Sequence, residues 1–111
     1  MVTNTNHTTK LASNKTLNSS NTSFTLTDGC NYSMLVVSAV LDVSKITVTT
    51  HIPVDLITTT DKEFIVGNYT GNGPEAKTFK LKKSGNDIVV TNAGITGNGV
   101  AASSINVYGI L

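Results

Sequence analysis

The stretch "AKTFKLKKSGNDIVVTN", residues 76–92, decides the fold. Phe79 and Leu81 alternate with Lys80 and Lys82, a period of two that sets the apolar pair on one face of a strand and the lysines on the other. "SGND", Ser84 to Asp87, then turns the chain tightly into "IVVTN", a second strand. Working outward, the same signature recurs. "SFTLT" alternates Phe24 and Leu26 before "DGCN" turns the chain, and "KITVTTHIPVDLI" alternates Ile46, Val48, Thr50 and Ile52 until Pro53 imposes an edge or a bend. "KEFIVG" is another short strand, and "SINVYGIL", residues 104–111, is a closing one.

"YSMLVVSAVLDV", residues 32–43, differs from these because it is apolar on both parities. Its length leaves a helix open, but four valines between turn signals favour a strand, central and covered on both sides. Seven or eight strands in under 90 residues with no convincing helix predict an all-β fold. The expected architecture is an antiparallel two-sheet β-sandwich with jelly-roll or Greek-key connections; a small closed barrel and a single curled sheet are the alternatives.

The totals agree. One domain fits in 111 residues, and 18 Thr, 12 Asn and 10 Ser make up 40 of them, a composition that favours strands and turns over helices. Charged residues are only 14%, against roughly 25% in an average globular protein. All eight basic residues are Lys, the net charge is +1, and no basic stripe exists, so nucleic-acid binding is not expected. Residues 1–22 carry few apolar side chains and are expected to form an extended polar arm, either disordered or ordered by lying on a partner, with the sandwich domain spanning 23–111. The arm lacks the apolar segment of a secretory signal, so the six N-x-Ser/Thr sequons at Asn6, Asn14, Asn18, Asn21, Asn31 and Asn68 read as a by-product of composition. The most apolar run, "MLVVSAVL", has eight residues where a membrane-spanning helix needs about 20.

Chemistry-bearing residues are sparse. Cys30 is alone and "TDGCNYS" offers it neither base nor cation, so an inert, partly buried thiol is expected. His7 and His51 stand in no metal-ligand spacing, and the seven carboxylates are scattered singly apart from Asp61 and Glu63, which share a strand face and read as a solvated rim. No catalytic, metal or cofactor site is therefore expected, and the chain is read as a non-enzyme. "VGNYTGNGPEAK", residues 66–77, is read as a ten-residue excursion between strands. Within it Asn68, Tyr69 and Asn72 form a candidate surface-binding loop, an amphipathic ring beside amides suited to a sugar or protein contact. "NAGITGNGVAASS", residues 92–104, is a second glycine-rich loop.

The ending carries a resemblance. Ile105, Tyr108, Gly109 and Ile110 match an I-x-x-x-Y-G-I closing pattern, with Ile105 three positions before the tyrosine, behind a looser upstream fit of Leu26, Tyr32, Leu35 and Val37. On these residues the segment from Ser23 to Leu111 resembles the small β-sandwich modules of tail-fibre and other virion structural proteins of tailed bacteriophages. The resemblance implies a virion-located, non-enzymatic structural protein, either a capsid decoration protein or a small tail or fibre subunit. It implies a homotrimer whose arm meets other virion proteins. Ile105, Val107, Tyr108 and Ile110 become a candidate assembly strand, Ile105 and Val107 on one side and Tyr108 and Ile110 on the other. The alternative function is a carbohydrate- or host-receptor-binding module contacting a host surface glycan through the Tyr69 loop.

Overall fold

The computed structural model describes residues 8–18, 22–42, 44–70, 73–93 and 102–111, with backbone alone at 68–70 and 73–75. Eight strands occur among them: β1 (Thr8–Leu17), β2 (Ser23–Leu26), β3 (Met34–Leu41), β4 (Thr47–Pro53), β5 (Lys62–Thr70), β6 (Gly73–Ser84), β7 (Asp87–Asn92) and β8 (Ala102–Ile110). They form two four-stranded antiparallel sheets, ordered β1-β8-β3-β4 and β2-β7-β6-β5. The protein is an all-β sandwich. First pairs with last and second with seventh, a jelly-roll-like nesting, whereas β3–β4 and β5–β6–β7 are hairpin-connected neighbours.

Alternate residues fill the space between the sheets, in register throughout β3, β6 and β7 and with a change of parity in β1 and β8. Leu26, Leu35, Leu41, Ile57, Leu81, Ile88 and Val107 are almost wholly buried there, and Phe64 stacks on Phe79 with ring centroids 6.3 Å apart. The opening hairpin behaves as its pattern requires: Phe79 and Leu81 point inward, Lys80 and Lys82 outward, and Gly85 takes the left-handed conformation of the turn (φ 60°).

Residues 8–17 depart from the expected arm. They form β1, pair with β8 along the edge of the first sheet, and bury Ala12 and Leu17 in the core. Their low apolar content conceals this because the strand's buried residues fall on opposite parities, so no alternation shows. The parity change has a structural cause: Asn14 (φ 52°) in β1 and Ser104 (φ 48°) in β8 are left-handed, and the registers slip around them as at β-bulges. One side chain ties both irregularities together. Asn106 accepts a hydrogen bond from the Asn14 backbone N–H at its Oδ1 (3.2 Å) and donates from Nδ2 to the Ser104 carbonyl (3.0 Å). Replacing it (Asn106→Leu) should cost about 0.5–1.5 kcal/mol in denaturant unfolding, since the bonds are exposed and water replaces part of what is lost. An unchanged midpoint would show that the bulges hold themselves.

Two further expectations are corrected. β3 is interior to its sheet, yet only one of its faces is covered: Leu35, Val37, Ala39 and Leu41 are buried while Met34, Val36, Ser38 and Val40 remain half-exposed. A two-layer sandwich has no third layer to close the second face. The span 66–77 is not a ten-residue excursion, because β5 and β6 stay paired out to Thr70 and Gly73. Pro74 is compatible with this because β7, among the described residues, pairs with β6 only between Phe79 and Ser84, leaving one side of β6 open at Pro74.

Candidate functional site

The outer face of the first sheet is built by register. Ile110 stands opposite Thr8 on one side and Met34 on the other, and Met34 is opposite Pro53; one rung along, Tyr108 stands between Lys10 and Val36, and Val36 faces His51. Strand alternation therefore sets Ile110, Met34 and Pro53 in one row and Tyr108 and Val36 in the next. The Lys10 ammonium lies 5.6 Å from the Tyr108 ring centroid, a cation–π contact that caps the row at the edge strand. The following rung, Asn106, Ser38 and Thr49, is polar. The two apolar rows thus lie at one end of this face, next to Leu111, which is 65% exposed, and on β3 Val40 follows beyond the polar rung.

Of the candidate assembly strand, Ile105 and Val107 are buried in the core, while Tyr108 and Ile110 stand on this outer face. Gly109 lies between the latter two and faces inward. A methyl group placed on it would sit 2.6 Å from Cγ of Tyr32, with Cδ1 and Cδ2 at 2.7 and 2.8 Å, so the tyrosine ring packs directly on the backbone of β8. Ser33 holds the same corner, donating its N–H (2.8 Å) and its hydroxyl (3.1 Å) to the Ile110 carbonyl. Gly109→Ala must push the ring aside and should destabilise by about 1–3 kcal/mol. A double-mutant cycle with Tyr32→Ala checks the cause, because the alanine should cost much less once the ring is gone. Equal costs in both backgrounds would rule out the contact.

A groove of about 500 Å³ opens between the edge strands β4 and β5, lined by His51, Pro53, Leu56, Glu63, Phe64 and Ile65 among others. Leu56 and Ile65 are 47% and 61% exposed on its walls. The Lys62 ammonium donates to the Leu56 carbonyl (3.3 Å), which ties the start of β5 to the short 3-10 turn after β4.

Several further polar residues tie two turns together. The turns at 28–31 and 84–87 clasp each other: Asp87 Oδ1 accepts from the Asp28 backbone N–H (2.9 Å), and the Asn86 amide donates to Asp28 (3.1 Å) and Asn31 (2.9 Å). Asp28 is left-handed there (φ 56°), a conformation aspartate tolerates. Cys30 is half-buried against the core, its sulfur 3.6 Å from the Asp87 carbonyl. Among the described residues no group of three His, Cys, Asp or Glu side chains is placed to hold a metal ion. Of the candidate binding loop, the backbones of Asn68 and Tyr69 belong to β5, opposite Glu75 and Pro74; their side chains and Asn72 lie outside the described residues. So do residues 94–101 of the second glycine-rich loop, whose last three residues, 102–104, belong to β8.

One residue escaped the sequence reading. Lys77 is only 1% exposed, pointing between the sheets on the same parity as Phe79 and Leu81, and its ammonium nitrogen is hydrogen-bonded to Oδ1 of Asn92 on β7. Burial pushes its pKa below the ordinary 10.5, because removing a cation from water disfavours the charged form. The signal was present in the spacing 77, 79, 81, but it was masked by the outward lysines beside it. Comparison of the chain with protein-family models, with curated proteins and with solved structures found no match.

Proposed function

We propose that the chain is a non-enzymatic structural protein of a tailed-bacteriophage virion, a capsid decoration or small tail or fibre subunit, that assembles with copies of itself. One observation supports the assembly: β3 is apolar on both faces, and the sandwich covers one of them. The half-exposed rows of Met34 with Ile110 and Val36 with Tyr108 are the face offered to a neighbouring copy, since an apolar sheet face left in water gains by being covered. The low charge of the chain suits such contacts, because few ions need to be desolvated on association. The virion assignment rests on the resemblance of the closing strand. Residues 8–17 pair within their own sheet, so docking on the particle is not assigned to them.

The test is a solution mass by sedimentation together with a proteome of purified particles. A trimer in solution and the protein's presence in the particles are expected. Val36→Lys, which sets a charge on the outer face and leaves the core untouched, should shift the mass towards that of the monomer without unfolding the chain. A monomer at all concentrations, absent from particles, would overturn the reading.

A further inference from the structure

We propose that Lys77 and Asn92 join through an intramolecular amide bond that staples β6 to β7 inside the core. The geometry provides the reacting pair. Asn92 stands opposite Phe79, so its side chain shares the inward face with Lys77 one diagonal step away on the neighbouring strand. The Lys77 nitrogen is hydrogen-bonded to Asn92 Oδ1, while Nδ2 of the same carboxamide donates to the Asn18 carbonyl (3.3 Å), which fixes the plane of the group to be attacked. Around them the cavity wall is apolar: Leu17, Phe24, Val66 and Phe79.

Such surroundings favour an uncharged amine, and a neutral lysine held against a carbonyl is a nucleophile. The step balances without any oxidant or reductant. The Lys77 nitrogen attacks Cγ of Asn92, the Nζ–Cγ bond forms and the Cγ–Nδ2 bond breaks. One proton passes from Nζ to Nδ2, which leaves as ammonia. Lys77 keeps one N–H, now an amide donor, and the buried site loses its titratable group. This linkage is independent of whether the protein assembles.

The measurement is the intact mass of the purified, denatured chain, followed by peptide mapping. The expected mass is that of the sequence less one ammonia, with a branched peptide joining residue 77 to residue 92 and no tryptic cleavage after Lys77. Lys77→Arg, which keeps a cation but lacks the nucleophile, should restore the full sequence mass. Ammonia loss that persists in Lys77→Arg, as cyclisation at Asn72-Gly73 or Asn98-Gly99 would produce, overturns the proposal. So does a parent chain of full sequence mass. In that case Lys77 keeps an unlinked, hydrogen-bonded amine with a lowered folded-state pKa, and the unfolded chain binds more protons than the folded one in the window below 10.5. Stability would then rise with pH through that window, whereas the linked protein shows no such contribution from residue 77.

Discussion

A chain truncated after Asn106, lacking Val107–Leu111, is expected not to fold. β8 is not a terminal appendage: it lies between β1 and β3 and pairs with both, so removing its second half strips two ladders at once. Val107 leaves the core, and its burial alone is worth about 1.5–3 kcal/mol. Gly109 takes with it the surface on which Tyr32 packs, and Ile110 the carbonyl that receives both Ser33 bonds. β3, the most apolar strand, would then expose an unpaired edge. A small domain holds only about 5–15 kcal/mol of net stability, so the combined loss exceeds the reserve. The expected readout is a chain without the dispersed amide spectrum of a folded β protein, recovered as aggregate. A soluble, fully assembled truncation would refute both this reading and the role given to the outer face.

The second large effect is expected at Leu17→Ala, with a loss of about 2–5 kcal/mol in denaturant unfolding. Leu17 is buried at the end of β1, against the interior that Leu26, Leu35 and Lys77 also line. Truncation removes three methylene or methyl equivalents from a space that the two sheets hold open, so the cavity cannot collapse fully. This substitution also discriminates sharply between two accounts of the first 22 residues. If they were a dispensable arm, the midpoint would not move. Because residues 8–17 complete the first sheet, the midpoint should fall as far as for a substitution in any interior strand.

The alternation of Phe79 with Lys80 and of Leu81 with Lys82 located β6 and its inward face, since a strand's side chains must alternate whatever they pack against. Pro53 marked the end of an edge strand, because a residue without an N–H cannot serve an interior ladder. The sides taken by Ile105, Val107, Tyr108 and Ile110 followed from the same period of two.

Other features are decided by interactions distant in sequence. β1 shows no alternation in sequence because Asn14 and Ser104 reverse the parity of two paired strands, and a bulge is specified by the partner strand and by Asn106, 92 residues from Asn14. The β5–β6 hairpin has the local signature of a loop because Gly67, Gly71, Gly73 and Pro74 are turn residues by composition, while the pairing includes three of them. Lys77 has the local signature of a surface lysine, and only the pairing of β6 with β7 brings Asn92 to it.

Local periodicity, then, was enough to establish an all-β chain and the direction in which most of its side chains point, because those properties depend only on backbone geometry within a strand. Which strands become neighbours, which apolar face is left uncovered and which lysine is enclosed were decided by the packing of the two sheets. Those outcomes depend on contacts between residues tens of positions apart, where burial outweighs local preference.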